Sequence, residues 1–274
     1  MSPLVEVGPA LAAALLLLVA VACALAAYGK LCLQRDVLVA CLRAALQLGA
    51  IALVIAAVVR SLWLSLLFVL AMTVVASGTA GRRLVRSRCG WWCAVPVAVS
   101  ALPVVALLVL LDVVPARGVA VVPVAGILIG GAMTGTVLAG RRGLDELRAR
   151  RGEVEAAMSL GFLDREAGLM VSRPAAAEAL VPGLDQTRTV GLVALPGTFV
   201  GTLLGGATPV QAGAVQLLVL VALLAVQAAA VVLTVELLAR GILRRPDAPA
   251  AATPSRRAAW RASRSSRARA RPAG

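Results

Sequence analysis

Residues 212–238 read AGAVQLLVLVALLAVQAAAVVLTVELL, a long run whose one charged residue is Glu236. A helix needs about 20 mainly apolar residues to cross the hydrocarbon core of a bilayer, so this run predicts a membrane span. The whole chain of 274 residues is 61% hydrophobic and only 15% charged, with a mean hydropathy of +0.94. This composition excludes a soluble fold and predicts an all-α integral membrane protein that crosses the bilayer several times.

Seven stretches have the length and the composition of membrane spans. They run from Gly8 to Ala27, Val37 to Val59, Leu62 to Ala80, Trp91 to Val113, Val119 to Ala139, Val190 to Gly206 and Ala212 to Leu238. The second and third are separated by little more than Arg60 and Ser61, which predicts a tight hairpin. Pro96 and Pro103 lie inside the fourth span, where we expect a kink.

The first span has small residues around Cys23 to Ala27 that imitate the cleavage site of a secretory signal. Signal peptides begin with a positively charged segment. Here Glu6 precedes the apolar run, and no Lys or Arg does. We therefore expect this segment to be retained as a helix.

Basic residues alternate between the connections, and in membrane proteins they concentrate on the cytoplasmic side. One set of connections carries most of them: Lys30, Arg35, Arg82, Arg83, Arg86, Arg88, the segment from Arg141 to Arg188, and the C-terminal tail. The other set carries only Arg60 and Arg117. This pattern predicts a multi-pass protein of the cytoplasmic (inner) cell membrane, with its N-terminus outside and its C-terminus in the cytoplasm.

The chain divides into a transmembrane domain, residues 1–239, and a polar tail, residues 240–274. The tail holds ten arginines and one acidic residue, Asp247, and it has too few apolar residues to form a core. We expect a disordered cytoplasmic segment that lies on anionic membrane lipid. Nucleic-acid binding is not predicted, because Trp260 is the one aromatic residue of the tail that could stack on bases.

Catalytic and metal-binding patterns are weak in this sequence. Cys89 and Cys93 are four residues apart and could share a helix face, but the chain has five cysteines and no histidine. A closed tetrahedral metal site needs more ligands than this neighbourhood offers, so we predict no metal site. Sets of the Ser/His or Cys/His type that form nucleophilic centres are also missing, which argues against an enzyme.

Residues 140–189 form the one long polar segment between apolar runs, and the sequence predicts a cytoplasmic loop that contains an amphipathic helix. Four apolar residues recur at helical spacing on one stripe: Leu144, Leu147, Val154 and Met158. Residues 155–161 read EAAMSLG, and the helix is expected to break at Gly161. Such a helix either projects into a groove of a soluble partner or lies on the membrane surface.

The E-A-A-x-x-x-G pattern of this segment resembles the cytoplasmic loop by which ABC-type permeases bind their ATPase. Its residues are Glu155, Ala156, Ala157 and Gly161, and they are followed at the family's spacing by Val171 and Pro174. Arg173 stands where that loop carries Leu. The resemblance implies that these six matching residues couple the chain to an ATPase, with Glu155 as a polar anchor in the contact.

Two other segments are candidates for a transport pathway. Residues 123–136 read PVAGILIGGAMTGT, in which Gly126 and Gly130 form a G-x-x-x-G pair for helix packing. The hydroxyls of Thr134 and Thr136 in the same segment could line a polar path. Residues 190–206 read VGLVALPGTFVGTLLGG, and the Pro-Gly pair in mid-span predicts a broken helix that serves as a hinge or a substrate site.

Several motifs in order make the whole chain similar to one family. They are residues 43–48 (RAALQL), residues 123–126 (PVAG) with Gly130, Met133 and Thr134, residues 159–161 (SLG), residues 191–197 (GLVALPG), and Gln216. From Lys30 to Leu238 the chain resembles the FetB-like family of ABC transporter permeases. That family includes bacterial proteins implicated in iron export and plant membrane subunits linked to aluminium tolerance.

The resemblance implies a permease homodimer with two copies of a separate ABC ATPase, which binds ATP and Mg²⁺, so that this chain holds no cofactor. The one lysine, Lys30, lies in no phosphate-binding loop. The substrate pathway would comprise Gly130, Gly131, Met133, Thr134, Thr136, Pro196, Gly197, Thr198, Thr202 and Gln216.

The chain departs from the family pattern at Gly131, Thr198, Phe199, Thr202 and Val215. Iron export therefore rests on the resemblance, and another solute stays open. A membrane protein that works alone, as a secondary carrier or a scaffold, is the alternative to an ATPase-coupled permease.

Overall fold

The computed structural model describes residues 8–58, 61–85 and 88–245, and all the regular elements in these ranges are helices. The α-helices are α1 (Pro9–Tyr28), α2 (Gln34–Val58), α3 (Leu62–Leu84), α4 (Ala94–Leu110), α5 (Gly118–Ala149), α6 (Arg151–Ser159), α7 (Asp164–Ala177), α8 (Val181–Thr189), α9 (Gly197–Leu204) and α10 (Pro209–Ala239). Short 3₁₀ helices, Arg88–Cys93 and Glu178–Leu180, precede α4 and α8. The all-α prediction is confirmed for these ranges.

Five helices of the described residues are long and apolar enough to cross a membrane. They are Pro9–Tyr28, Leu62–Leu84, Cys89–Leu110, Gly118–Ala149 and Pro209–Ala239. They match the first, third, fourth, fifth and seventh predicted spans. Helix α2 coincides with the second up to Val58, while Val59 and Arg60 lie outside the described residues, as do the tail residues 246–274. The predicted count of seven is not confirmed.

The chain divides into two compact units, and residues up to Leu67 together with residues 117–119 form the first. In it, α1 and α2 pack against each other and are joined by a short turn. Lys30 and Cys32 in that turn have positive φ angles of 50° and 54°. The thiol of Cys23 lies 3.8 Å from the carbonyl oxygen of Gln34. Because the end of α1 meets the start of α2, the two helices form an antiparallel hairpin.

In the second unit, α5 and α10 pack through glycines that allow close approach. A Cβ on Gly131 would lie 2.2 Å from Cδ1 of Leu223, and a Cβ on Gly143 would lie 2.6 Å from Cδ1 of Leu238. Gly135 faces Gln227 between them. Residue numbers rise together along both helices, so α5 and α10 run parallel. Close packing through small residues is a standard way for membrane helices to associate.

The predicted G-x-x-x-G pair of Gly126 and Gly130 is not the contact that the structure makes. A Cβ on Gly130 would meet no described atom within 4 Å, and one on Gly126 would face the methyl group of Met72. The glycines that meet α10 start one residue later, at Gly131. One residue corresponds to about 100° around a helix, which is enough to move a side chain from one interface to another.

The return of the chain from α5 to α10 starts well before the predicted sixth span. Gly168 of α7 lies against Ala239 of α10, and Gly183 of α8 lies against Leu224 and Gln227. From Gly168 to Gly183 the residue numbers increase, whereas those of their contacts on α10 decrease, from Ala239 to Gln227 and Leu224. Helices α7, α8 and α9, all in contact with α10, therefore form an antiparallel return path beside it.

The predicted sixth span, Val190 to Gly206, is not one continuous helix. Its helical part is α9, which has 8 residues and a length of about 12 Å, too short to cross a bilayer. The break occupies residues 190–196, where Gly191 has a φ of 81° and its N–H donates to the Ala194 carbonyl at 2.9 Å. The interruption before Pro196 and Gly197 agrees with the predicted broken helix.

The predicted loop 140–189 is largely helical. Helix α5 continues past Ala139 to Ala149, and the expected single amphipathic helix is divided at Arg150, whose φ is −107° and ψ 29°. Leu144 and Leu147 therefore belong to α5, whereas Val154 and Met158 belong to α6. The arginines lower the mean hydropathy of this segment, and hydropathy alone therefore predicts a loop. Its helices nevertheless have a face of small residues, such as Gly168, Ala176 and Gly183, that packs on α10.

Candidate functional site

Helices α6 and α7 pack against each other as a hairpin that contains the predicted coupling residues. The turn between them is a Schellman motif. The Phe162 N–H donates to the Ala157 carbonyl at 3.2 Å, and the Gly161 N–H donates to the Met158 carbonyl at 3.0 Å. Gly161 has a φ of 96°, a left-handed conformation that glycine adopts without strain. Gly161 thus turns the chain as the sequence predicts.

The coupling residues before Gly161 divide between two faces of α6. Glu155 and Ala156 are exposed, while Ala157 is buried. The Glu155 carboxylate accepts a hydrogen bond from Arg151 Nε at 2.9 Å, and the Ser159 hydroxyl donates to the Glu155 carbonyl. The side chains of Glu155 and Ala156 are therefore on the surface of the hairpin, whereas that of Ala157 is inside.

Val171 and Pro174 both lie within α7 and not at the end of a loop. Val171 is only 1% exposed, so its side chain faces the interior and is not placed to touch a partner. Pro174 is exposed. Of this predicted pair, Pro174 is on the surface and Val171 is buried.

The turn of the hairpin presents apolar side chains that the sequence motif did not single out. Leu160 is 81% exposed. Three other exposed apolar residues lie around it, and with Leu160 we call them the apolar tip: Met158, Phe162 and Leu163. Large exposed apolar groups next to one another usually mark an interaction surface. The sequence signal for this surface was the apolar residues on both sides of Gly161: Met158 and Leu160 before it, and Phe162 and Leu163 after it.

Charged groups on α6 are paired locally. Arg150 Nε donates to the Glu153 carboxylate at 2.8 Å, and this hydrogen bond holds the pKa of Glu153 below its ordinary value. At the start of α7, the Glu166 carboxylate accepts a hydrogen bond from the Leu163 backbone N–H at 3.3 Å. These contacts stabilise the first turn of each helix, and the one at Leu163 lies in the apolar tip itself.

The hairpin is tied to the end of α10 by a network of ion pairs. Arg165 of α7 donates two hydrogen bonds to the Glu236 carboxylate, at 2.6 and 2.8 Å. Arg240 donates to the same carboxylate at 2.6 Å. Gly168 adds a close backbone contact, because a Cβ there would lie 3.2 Å from the Cα of Ala239. These contacts connect the start of α7 directly to the end of α10.

Helix α5 is linked to the same region by two further ion pairs. Arg142 of α5 contacts Glu178 in the 3₁₀ helix after α7, and Asp145 of α5 contacts Arg245 beyond α10. These two pairs connect α5 to the segment that follows α7 and to the residues that follow α10.

The predicted pathway residues of α5 have different environments. Thr136 is fully buried, and its hydroxyl has no hydrogen-bond partner among the described residues. Thr134 is exposed and donates to the Gly130 carbonyl at 3.0 Å. Gly131 packs on α10, and Met133 is half-buried. Thr136 is therefore the residue of this set whose polar atom is buried and unpaired.

The predicted residues around α9 flank the break in the return path. Pro196 and Gly197 begin α9, and the Thr202 hydroxyl donates to the Thr198 carbonyl at 2.8 Å. Gln216 of α10 is 4% exposed, and its amide oxygen has no hydrogen-bond partner in the described part of the chain. None of the hydrogen bonds between described residues joins the α5 set to the α9 set.

Gln227 is a candidate pathway residue that the sequence analysis missed. It lies on α10 where α5 and α8 meet, opposite Gly131, Gly135 and Gly183. A Cβ on Gly183 would lie 2.2 Å from Gln227 Oε1, and that oxygen is buried without a hydrogen-bond partner among the described residues. An unpaired amide inside an apolar helix bundle is costly and often functional. The available signal was a second Gln, eleven residues after Gln216, in the same long apolar run.

The profile of the Uncharacterised protein family UPF0014 matches residues 10–243. The chain belongs to this family. It is 36% identical to the UPF0014 membrane protein STAR2 of Oryza sativa subsp. japonica over 206 residues, 74% of this chain and 72% of the relative. It is 34% identical to the protein ALUMINUM SENSITIVE 3 of Arabidopsis thaliana over 212 residues, 76% and 77% of the two chains.

A bacterial relative bears a name that refers to transport. The chain is 29% identical to the Probable iron export permease protein FetB of Escherichia coli (strain K12) over 209 residues, 74% of this chain and 80% of the relative. No solved structure matches. These relatives confirm the predicted family, and with the five apolar helices they confirm a multi-pass membrane protein.

Proposed function

We propose that this protein is the membrane-spanning permease subunit of an ABC transporter and that a separate ATPase docks on the α6–α7 hairpin. The observation that carries the proposal is the apolar tip, held next to the E-A-A-x-x-x-G residues by the Schellman turn at Gly161. Exposed apolar groups beside Glu155 fit a groove on a soluble protein. The chain itself performs no catalysis, and ATP and Mg²⁺ are bound by the partner.

The contacts of the hairpin also provide a route by which a conformational change driven by ATP hydrolysis would be transmitted to the membrane helices. The ion pair of Arg165 with Glu236 and the close contact of Gly168 with Ala239 connect the α6–α7 hairpin to α10. Since α10 packs on α5 through Gly131, a shift of the hairpin would move the helices that carry the pathway residues. Discrete rearrangements of packed helices of this kind switch transporters between two access states.

For the pathway, we propose the region where the broken return path meets α5 and α10. Broken helices are tolerated inside membranes where protein or a watery cavity surrounds the freed backbone groups. The unpaired side-chain oxygens of Thr136, Gln216 and Gln227 are neutral oxygen ligands. Hard cations prefer oxygen ligands, which agrees with the name of the bacterial relative. We therefore propose a metal cation, with iron as the first candidate, as the exported solute.

The subunit arrangement in this proposal is a permease homodimer with two ATPase chains. In this arrangement the hairpin faces the cytoplasm. Arginines concentrate where α5 ends and α6 begins, and basic residues favour the cytoplasmic side of a membrane. The same orientation places the start of α10 outside.

The test is affinity purification of the tagged protein from native membranes in a mild detergent, with identification of bound chains and assay of ATP hydrolysis. We expect a stoichiometric ATPase subunit with the wild-type protein. The double variant Glu155→Lys with Gly161→Pro should lose it, whereas Arg148→Ala, an exposed change on α5 outside the hairpin, should retain it. A well-folded protein that co-purifies with no ATPase would favour the stand-alone carrier or scaffold.

A further inference from the structure

A groove of about 400 Å³ runs between α7 and α10. Its walls are mainly apolar. Leu169 and Leu180 form one wall, and Val231, Val232 and Val235 of α10 form the other. Val232 is 67% exposed, so the groove opens to the surface of the protein. The opening continues the exposed apolar face of α10, which would meet hydrocarbon in a membrane.

Charged side chains border the same groove. Arg173 of α7 and Glu236 of α10 contribute to its lining, and Glu236 is bound by Arg165 and Arg240. Arg165 and Arg240 thus neutralise the carboxylate of Glu236, and Arg173 is the guanidinium group of the lining itself. Arg173 is exposed, and within the described ranges it takes part in none of the ion pairs or side-chain hydrogen bonds.

We propose that this groove binds an anionic phospholipid, with one acyl chain along its apolar walls and the phosphate on Arg173. Apolar walls exclude a polar solute, and the guanidinium of Arg173, beside a carboxylate that Arg165 and Arg240 already neutralise, favours an anion. Arginine can bury its aliphatic stem along an apolar surface while its guanidinium reaches the headgroup layer. Basic pockets between membrane helices at the cytoplasmic side bind anionic lipid headgroups, and guanidinium is the side chain best suited to a phosphate.

The lipid would contact the α6–α7 hairpin and α10 at the same time. Leu169 and Arg173 lie on α7, which leads directly from the apolar tip, and Val232 and Glu236 lie on α10. Lipid in the groove would therefore stabilise the arrangement in which α7 is packed on α10. This binding needs no ATPase, so it stands or falls independently of the proposed transport function.

The experiment uses the purified full-length chain in mild detergent, titrated with phosphatidylglycerol or phosphatidylcholine and examined by native mass spectrometry. We expect one phosphatidylglycerol per chain to be retained in preference to phosphatidylcholine. Arg173→Gln should weaken phosphatidylglycerol binding by about tenfold, the usual effect of losing a hydrogen bond to a charged group. Arg188→Gln is the matched control, because Arg188 is exposed on α8 and does not line the groove.

A second variant separates the apolar part of the site from its charge. Val232→Trp fills the groove and leaves every arginine in place, so it should also reduce phosphatidylglycerol retention. The proposal is overturned if Arg173→Gln and Arg188→Gln bind this lipid equally. It is also overturned if Val232→Cys forms a disulfide between two copies in native membranes, since a second chain would then cover the groove.

Discussion

Two adjacent glycines on α5 provide a test of the packing between α5 and α10. Gly131 faces α10, where a Cβ would lie 2.2 Å from Cδ1 and 3.4 Å from Cγ of Leu223. Gly130 is open, with no described atom within 4 Å of a Cβ placed there. Alanine at either position gains the same helix propensity, up to about 1 kcal/mol. The difference between the two variants therefore isolates the cost of the contact with Leu223.

The size of that cost follows from which atoms clash. Overpacking a well-packed interior costs about 1–3 kcal/mol. The clashing atom is the end of a leucine side chain, which can move to another rotamer, so we expect the lower end of this range. Gly131→Ala should thus be about 1 kcal/mol less stable than Gly130→Ala, roughly a factor of 5 in the ratio of folded to unfolded protein.

The measurement is unfolding of both variants in mixed micelles with increasing dodecyl sulfate, followed by tryptophan fluorescence. Gly131→Leu and Gly130→Leu, measured in the same way, should enlarge the difference, because the longer side chain needs more space. Equal midpoints for the two alanine variants, or a lower midpoint for Gly130→Ala, would show that α5 presents a different face to α10.

Three further predictions concern α3, the pathway and the link from the hairpin to α10. Gly81→Ala should destabilise the protein by about 3 kcal/mol in the same unfolding assay, because its Cβ would lie 2.4 Å from a backbone carbonyl oxygen; Gly78→Ala, with space around it, should be neutral or better. In a cysteine-free background, Gln227→Cys should react with a small charged thiol reagent in at least one ATPase state, whereas Val232→Cys should not. Equal reaction at both positions would show that Gln227 does not line a water-filled pathway. Glu236→Gln should cost about 1 kcal/mol of stability at most, since its ion pairs are partly exposed, but should lower transport per ATP hydrolysed in reconstituted vesicles; unchanged transport would rule out this link.

Much of the architecture follows from the sequence because long apolar runs have few alternatives to spanning helices. The turn at Gly161 and the break before Pro196 were also predictable, since glycine and proline act on the local backbone. These features depend on neighbouring residues along the chain.

The return path beside α10 could not be predicted in the same way. Arg165, Arg173 and Arg188 make residues 164–189 polar on average, while the face formed by Gly168 and Gly183 packs on α10. An average over the segment does not reveal two different faces when small residues, and not large apolar ones, make the contact.

The glycine contacts of α5 show a similar limit. Helix α5 has glycines at positions 118, 126, 130, 131, 135, 140 and 143, and more than one pairing has helical spacing. Only the position of α10 decides that Gly131 makes the contact and Gly130 does not. The importance of Gln227 likewise depends on α5 and α8 meeting at that point.

The most direct test of the proposed coupling is photo-crosslinking from the apolar tip in native membranes. A photoreactive amino acid at Leu160 is compared with the same amino acid at Arg148, which is also exposed but lies on α5 outside the hairpin. We predict a crosslink from position 160 to an ABC ATPase chain, and none to that chain from position 148. Absence of an ATPase crosslink at position 160, with a crosslink to lipid or to another membrane protein in its place, would contradict the proposal.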